Sequence, residues 1–163
     1  MFRNDPAWAE KAARVSSLAK DITEIITEFG LPDPVEATGQ VVAYHSACSM
    51  QHGQSLRDGP KALLKAAGFI VEDVPGGHIC CGSAGTYNML QPELSAQLRA
   101  RKVSNIEKTK PEIVATGNLG CMTQISKGLN DRGAAIAVIH TVELLDWATG
   151  GPMPRALADP RNV

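Results

Sequence analysis

Four cysteines and four histidines carry most of the chemistry open to this 163-residue chain. Cys48 stands alone, Cys80 and Cys81 are neighbours followed by Gly82, and Cys121 again stands alone. Thiolates ligate soft metals, attack electrophiles when their pKa is depressed, and pair as disulfides where the compartment is oxidising. A Cys80–Cys81 bond would close a strained ring, so two bridges are the least favoured arrangement. Metal ligation comes first. A thiol enzyme with Cys80 or Cys81 as nucleophile and a histidine as base is permitted by residue type, but no Cys-x-x-Cys redox motif supports it. His45 and His52 flank Cys48, His78 precedes Cys80 by two positions, and His140 lies far downstream; each is a candidate ligand or hydrogen-bond donor, although loop histidines are commonly satisfied by ordinary polar partners. No pair of carboxylates is spaced for acid–base work, and no catalytic residue is assigned.

The elements that must gather these residues can be read from the apolar pattern. Val41 to Tyr44, Phe69 to Val71, Ile113 to Ala115 and Ile136 to Ile139 are short, nearly continuous apolar runs, as in strands of a parallel sheet covered on both faces. Helical stretches fit between them. Pro60 to Ala67 ends at Gly68, and Pro92 to Lys108 turns Leu94, Leu98, Val103 and Ile106 inward. Thr141 is the expected cap of a last helix reaching Trp147. The alternation predicts an α/β fold with a small, doubly wound, mostly parallel sheet flanked by helices. Upstream, Asp5 as N-cap and Pro6 at the first position start a long N-terminal amphipathic helix. Its stripe of Trp8, Val15, Leu18, Ile22, Ile25, Ile26 and Phe29 runs to Gly30. That stripe is expected to pack on the core, with docking onto a neighbouring domain as the alternative. The expected division is a helix and linker over 1–34, the cysteine-bearing domain over 35–150, and a loosely ordered tail over 151–163 containing Pro152, Pro154 and Pro160.

On this reading every cysteine follows the carboxyl end of a strand. In an open parallel sheet those ends share one edge, and ligands bind in the crevice outside it. The four sulfurs are therefore expected together even in a metal-free chain. Cys121 is expected to open a helix through Leu129, with its sulfur at the positive end of the helix dipole, and glycines such as Gly82 let backbone N–H groups approach sulfur. Zinc in a tetrahedral thiolate set and an iron–sulfur centre both suit four such ligands.

Composition excludes several classes. Lys and Arg total 16 against 17 Asp and Glu, a net charge of −1 that supplies no broad cationic field for nucleic acid. No apolar run approaches the roughly 20 residues of a membrane span. The opening residues lack the basic and apolar regions of a secretory signal, so the expected location is cytoplasmic.

With those residues placed, the chain resembles the cysteine-rich CCG domain found in heterodisulfide reductase, in lactate-utilisation proteins and in the iron–sulfur subunit of glycolate oxidase. The blocks that carry the likeness are Tyr44-His45-Ser46-Ala47-Cys48, Cys80-Cys81-Gly82-Ser83-Ala84-Gly85, Gly117-Asn118-Leu119-Gly120-Cys121 and His140-Thr141-Val142-Glu143. They are most similar to the C-terminal repeat of the glycolate oxidase subunit. The resemblance implies an iron–sulfur centre, a [4Fe–4S] cluster first, on Cys48, Cys80, Cys81 and Cys121, with His45, His52, Gly82 and Gln124 around it and zinc as the alternative. It implies electron transfer from flavin-containing glycolate oxidase subunits toward the respiratory chain, together with a missing N-terminal iron–sulfur part. Peripheral attachment to the inner membrane would come through those partners. The alternative role is a zinc-stabilised or metal-free interaction module of an oxidoreductase. Family members often place a cysteine where Gln124 stands. Gln124 is three positions beyond Cys121 on a helix, so it is expected to face the crevice and donate to a sulfur, a solvated position being the plain alternative.

Overall fold

A computed structural model describes residues 2, 4–35 and 39–158. Four strands, β1 (Val41–Tyr44), β2 (Ile70–Asp73), β3 (Ile113–Thr116) and β4 (Ala137–His140), form one sheet in the order β2-β1-β3-β4. All three pairings are parallel, with Ala43 opposite Glu72 on one side and Val114 on the other, and Val114 in turn opposite Val138. Successive strand side chains point to opposite faces. Val42, Tyr44, Ile113, Ala115, Ala137 and Ile139 therefore share one face. There they meet Leu63 and Leu64 of α3 (Gly59–Ala66) and Leu144 and Leu145 of α7 (Thr141–Ala148). Ala43, Val114 and Val138 share the other, against Val103 and Ile106 of α5 (Pro92–Glu107) and Ile125 and Leu129 of α6 (Leu119–Asn130). The sheet is covered on both faces, which explains the continuous apolar runs of β1, β3 and β4. β2 differs: as an edge strand it leaves Ile70, Glu72 and Asp73 exposed, and the buried Phe69 precedes it.

The long N-terminal helix is not formed. Two helices replace it, α1 (Ala9–Leu18) and α2 (Ile22–Phe29), separated where Ala19 turns extended at φ −78°, ψ 105°. The cause is local. Asp21 accepts the Thr23 N–H at 2.9 Å, and Glu24 reaches back to accept the Asp21 N–H at 2.8 Å, a capping box that starts a new helix inside the apolar stripe. Asp5 likewise caps a preceding turn, accepting the Ala7 N–H at 3.0 Å, so α1 begins one turn later than expected. Nor does the stripe pack on the core along its length: Trp8, Val15 and Leu18 stay exposed, and Ile26 of α2 is the member that packs against the first face.

Smaller differences have equally local origins. His140, not Thr141, caps α7: its Nδ1 accepts the Val142 N–H at 3.3 Å while Glu143 accepts the His140 N–H at 3.3 Å. Leu94 remains exposed on α5, whereas Ser95 and Lys102 turn inward. In the tail, Arg155–Ala158 form α8, with Ala156 and Leu157 packed on the first face; apolar contact orders a proline-rich segment. Pro160 and the rest of 159–163 lie outside the described residues.

Replacing the capping residue, Asp21→Ala, should lower stability by about 1 kcal/mol, the usual worth of an N-cap. The midpoint of urea unfolding, followed by far-UV circular dichroism, reads this directly, and an unchanged midpoint would mean that the capping box does not hold α2.

Candidate metal centre

The strand order places a switch point between β1 and β3, because the chain leaves β1 toward β2 and leaves β3 toward β4 on the opposite side. Three loops converge there. After β1, the His45 N–H continues the ladder by donating to Ala115 O at 2.8 Å, and Cys48 leads into a widened π-helical turn at Ser49–Gln54. Such turns have one residue more than an α-turn and occur often at functional sites. After β2, the loop carrying Cys80 and Cys81 precedes α4 (Tyr87–Leu90). After β3, Asn118 caps α6 by accepting the Cys121 N–H at 3.1 Å, which puts Cys121 in the first helical turn.

Cys48, Cys80, Cys81 and Cys121 line a single cavity of about 180 Å³, with Ser83 and Asn118 among its other walls. All four are free thiols, Cys81 and Cys121 buried and Cys48 and Cys80 half-buried. Cys81 Sγ and Cys121 Sγ are hydrogen-bonded at 3.3 Å, and the Gly82 N–H donates to Cys80 Sγ at 3.3 Å. His45 joins them: a ring nitrogen and the Cys81 and Cys121 sulfurs lie within 4.8 Å of one another. That histidine is 1% exposed, and neither ring nitrogen has a hydrogen-bond partner by distance. An unpartnered buried imidazole costs free energy that a metal or an anionic sulfur would recover. The other histidines are elsewhere. His52 and His78 are exposed, and His140 is committed to its cap.

The sulfurs do not share their protons evenly. The hydrogen bond with Cys121 pulls Cys81 well below the ordinary thiol range, aided by His45 and the Ser83 N–H and opposed by burial. The same bond pushes Cys121 up, because a proton held across it is harder to remove. Burial pushes the Cys48 thiol up, with Cys80 adding to it. Burial pushes His45 down, toward the neutral imidazole that ligates metals.

Gln124 is neither solvated nor hydrogen-bonded to a sulfur. It is 6% exposed, and its amide donates to Ser95 Oγ at 2.8 Å, which in turn donates to Gly82 O at 2.8 Å. The relay ties α6 through α5 to the Cys80-Cys81-Gly82 loop. Gly82 is required there on two counts: its φ is +94°, and a Cβ would stand 2.5 Å from Ser95 O. Lys102 adds a third support. Lys102 on α5 is 2% exposed, and its ammonium donates to Gly76 O and Gly77 O, each at 3.3 Å. Its signal was positional, seven residues after the inward Ser95 and four before the inward Ile106.

Gly82→Ala should cost well over ~1–2 kcal/mol, the left-handed penalty alone, because backbone overlap adds to it. Gly85→Ala is the control, with φ +63° but nothing within 4 Å of its Cβ, and should cost only the first part. Unfolding midpoints and bound metal per chain would separate the two; equal losses would show that the approach to Ser95 is unimportant.

Residues 42–126 match the CCG family, described as a cysteine-rich domain. The chain is 37% identical over 148 residues to the glycolate oxidase iron-sulfur subunit of Escherichia coli (strain K12), covering 91% of this chain and 35% of that protein. It is 31% identical to lactate utilization protein A of Bacillus licheniformis, covering 90% of this chain and 62% of that protein. A probable glycolate oxidase iron-sulfur subunit of Bacillus subtilis (strain 168) is 30% identical over 155 residues, again with 35% of its length covered. The chain thus spans about a third of the glycolate oxidase relatives and about three-fifths of the lactate-utilisation one.

Proposed function

The chain belongs to the cysteine-rich CCG domain family, and on that premise we propose that it is an iron–sulfur electron-transfer domain of a glycolate oxidase-type complex. The observation that carries this reading is the convergence of Cys48, Cys80, Cys81 and Cys121, from three separate loops, on one cavity. The donor set fits. Four thiols are the complement of a cluster, and among the described residues no carboxylate lines the cavity, which disfavours magnesium or calcium. A cluster bound there supplies reversible storage of one electron. The protein's own contribution is to hold the thiolates, to aim the Gly82 N–H at the Cys80 sulfur, and to keep Cys81, Cys121 and His45 out of water.

In this reading the electron comes from a flavin-containing subunit that oxidises glycolate and leaves toward the respiratory chain, with further iron–sulfur centres in an N-terminal part of the complex. Oxidation of the organic acid takes place on the partner, and none of the cysteines or histidines of this chain is given a catalytic role. Among the described residues no helix is long and apolar enough to cross a membrane; attachment to the inner membrane through partner subunits is part of this reading.

A second reading has its own observation. Two thiolates on one tetrahedral zinc stand about 3.8 Å apart, given Zn–S bonds of about 2.3 Å. The Cys81–Cys121 spacing of 3.3 Å is close to that, and His45 is near enough to complete a chelate. Zinc stabilising an interaction module is therefore the competitor.

Anaerobic purification with metal analysis and a visible spectrum decides between them. The expected result is brown protein, bleached by dithionite, with several irons per chain. Serine at each of Cys48, Cys80, Cys81 and Cys121 should remove most of the iron while leaving the far-UV circular dichroism of the sheet in place. A colourless protein holding one zinc would establish the second reading, and unchanged iron in all four variants would overturn the ligand assignment.

A further inference from the structure

Lys102 is among the largest side chains fully enclosed by the protein, at 2% exposure. It stands on the inward face of α5 beside Val103 and Ile106, in positions that otherwise build the second core face. The ammonium finds two neutral acceptors, the carbonyls of Gly76 and Gly77 at 3.3 Å each. Among the described residues no carboxylate forms an ion pair with it; the six pairs present engage other cations. A buried ammonium without an anion costs several kcal/mol, which is why lysine is almost never enclosed unless paired.

The candidates for that anion are the sulfurs: Val103 and Ile106, the neighbours of Lys102 on α5, pack in one buried cluster with Cys81 and Cys121. Burial acts to discharge Lys102, and Cys81, Cys48, Cys80 and Cys121 each act to keep it charged. Lys102 stands on a different element from any of the cysteines, and its anchor carbonyls belong to the loop that leads into Cys80.

We propose that Lys102 is the fixed counter-charge of the thiolate site, a positioning residue whose buried ammonium raises the reduction potential of the iron–sulfur centre. The inference rests on the iron–sulfur reading above. Its physical content is electrostatic: one electron, delivered from a reduced flavin, adds one negative charge to a site of low dielectric, and a nearby cation that cannot be screened by solvent favours that step. The same loop anchor keeps the ammonium from swinging away when the charge changes.

The test is a mediated spectroelectrochemical titration of the iron-loaded chain, with dithionite as reductant, in wild type, Lys102→Met and Lys102→Arg. Methionine keeps the length and removes the charge; arginine keeps the charge. The methionine variant should be reduced at least tenfold less favourably, which for one electron is a potential about 59 mV more negative. The arginine variant should stay within about threefold of wild type. Should the methionine variant fail to fold, Lys102→Gln, which retains a donor toward Gly76 and Gly77 without the charge, is read in the same way. Equal potentials in the wild type and the uncharged variant would overturn the proposal, and so would equal shifts in the methionine and arginine variants, which would mark a packing effect. Iron-free wild type would overturn the cluster reading and this inference with it, whereas iron-loaded variants with an unmoved potential would overturn the inference alone.

Discussion

In a four-stranded sheet whose strands all run the same way, every strand must hand its chain to a loop at the same edge. Burial on both faces fixes the register of β1, β3 and β4, because a slip of one residue would exchange Val42 and Val114 between two different helical layers. Once register is fixed, the loops that follow β1, β2 and β3 have little choice about where they begin. Residues as far apart in sequence as Cys48 and Cys121 then face each other across the switch point.

Convergence of loops does not by itself hold sulfurs in place, and the chain adds a specific brace for the least constrained loop. The segment between β2 and α4 contains no regular element, yet Gly76, Gly77 and Gly82 are each tied by a side chain from elsewhere. Gln51 donates to Gly77 O at 3.3 Å, Lys102 to Gly76 O and Gly77 O, and Ser95 to Gly82 O. These are buried or half-buried bonds to backbone carbonyls, which would be left unsatisfied if the loop shifted. Gln124 is part of that brace through its bond to Ser95.

The electrostatics follow from the same placement. Two buried thiols 3.3 Å apart oppose each other's ionisation, so the bond that lowers Cys81 raises Cys121. His45 and Lys102 are buried in the same interior, and among the described residues no carboxylate forms an ion pair with Lys102. Taken together, Cys81, Cys121, His45 and Lys102 place several ionisable groups in one interior, which an ordinary apolar core would not require.

Much of this was legible from sequence because it depends on periodicity and on the direction of parallel strands. The four strands, the helices between them, and the placement of each cysteine after a strand end all follow from apolar runs punctuated by glycine. What sequence could not decide is which polar residue partners which. The Asp21 capping box and the apolar stripe it interrupts compete over the same few residues, and the local hydrogen bonds won, splitting one expected helix into α1 and α2. Among four histidines equally close to cysteines or strand ends in sequence, only His45 enters the site, because β1 ends directly into it while His140 is taken by the cap of α7. Lys102 reads as an ordinary surface charge in sequence and is enclosed in the fold, since the direction of a helical side chain depends on which face of α5 the sheet covers. Tertiary packing alone sets that face.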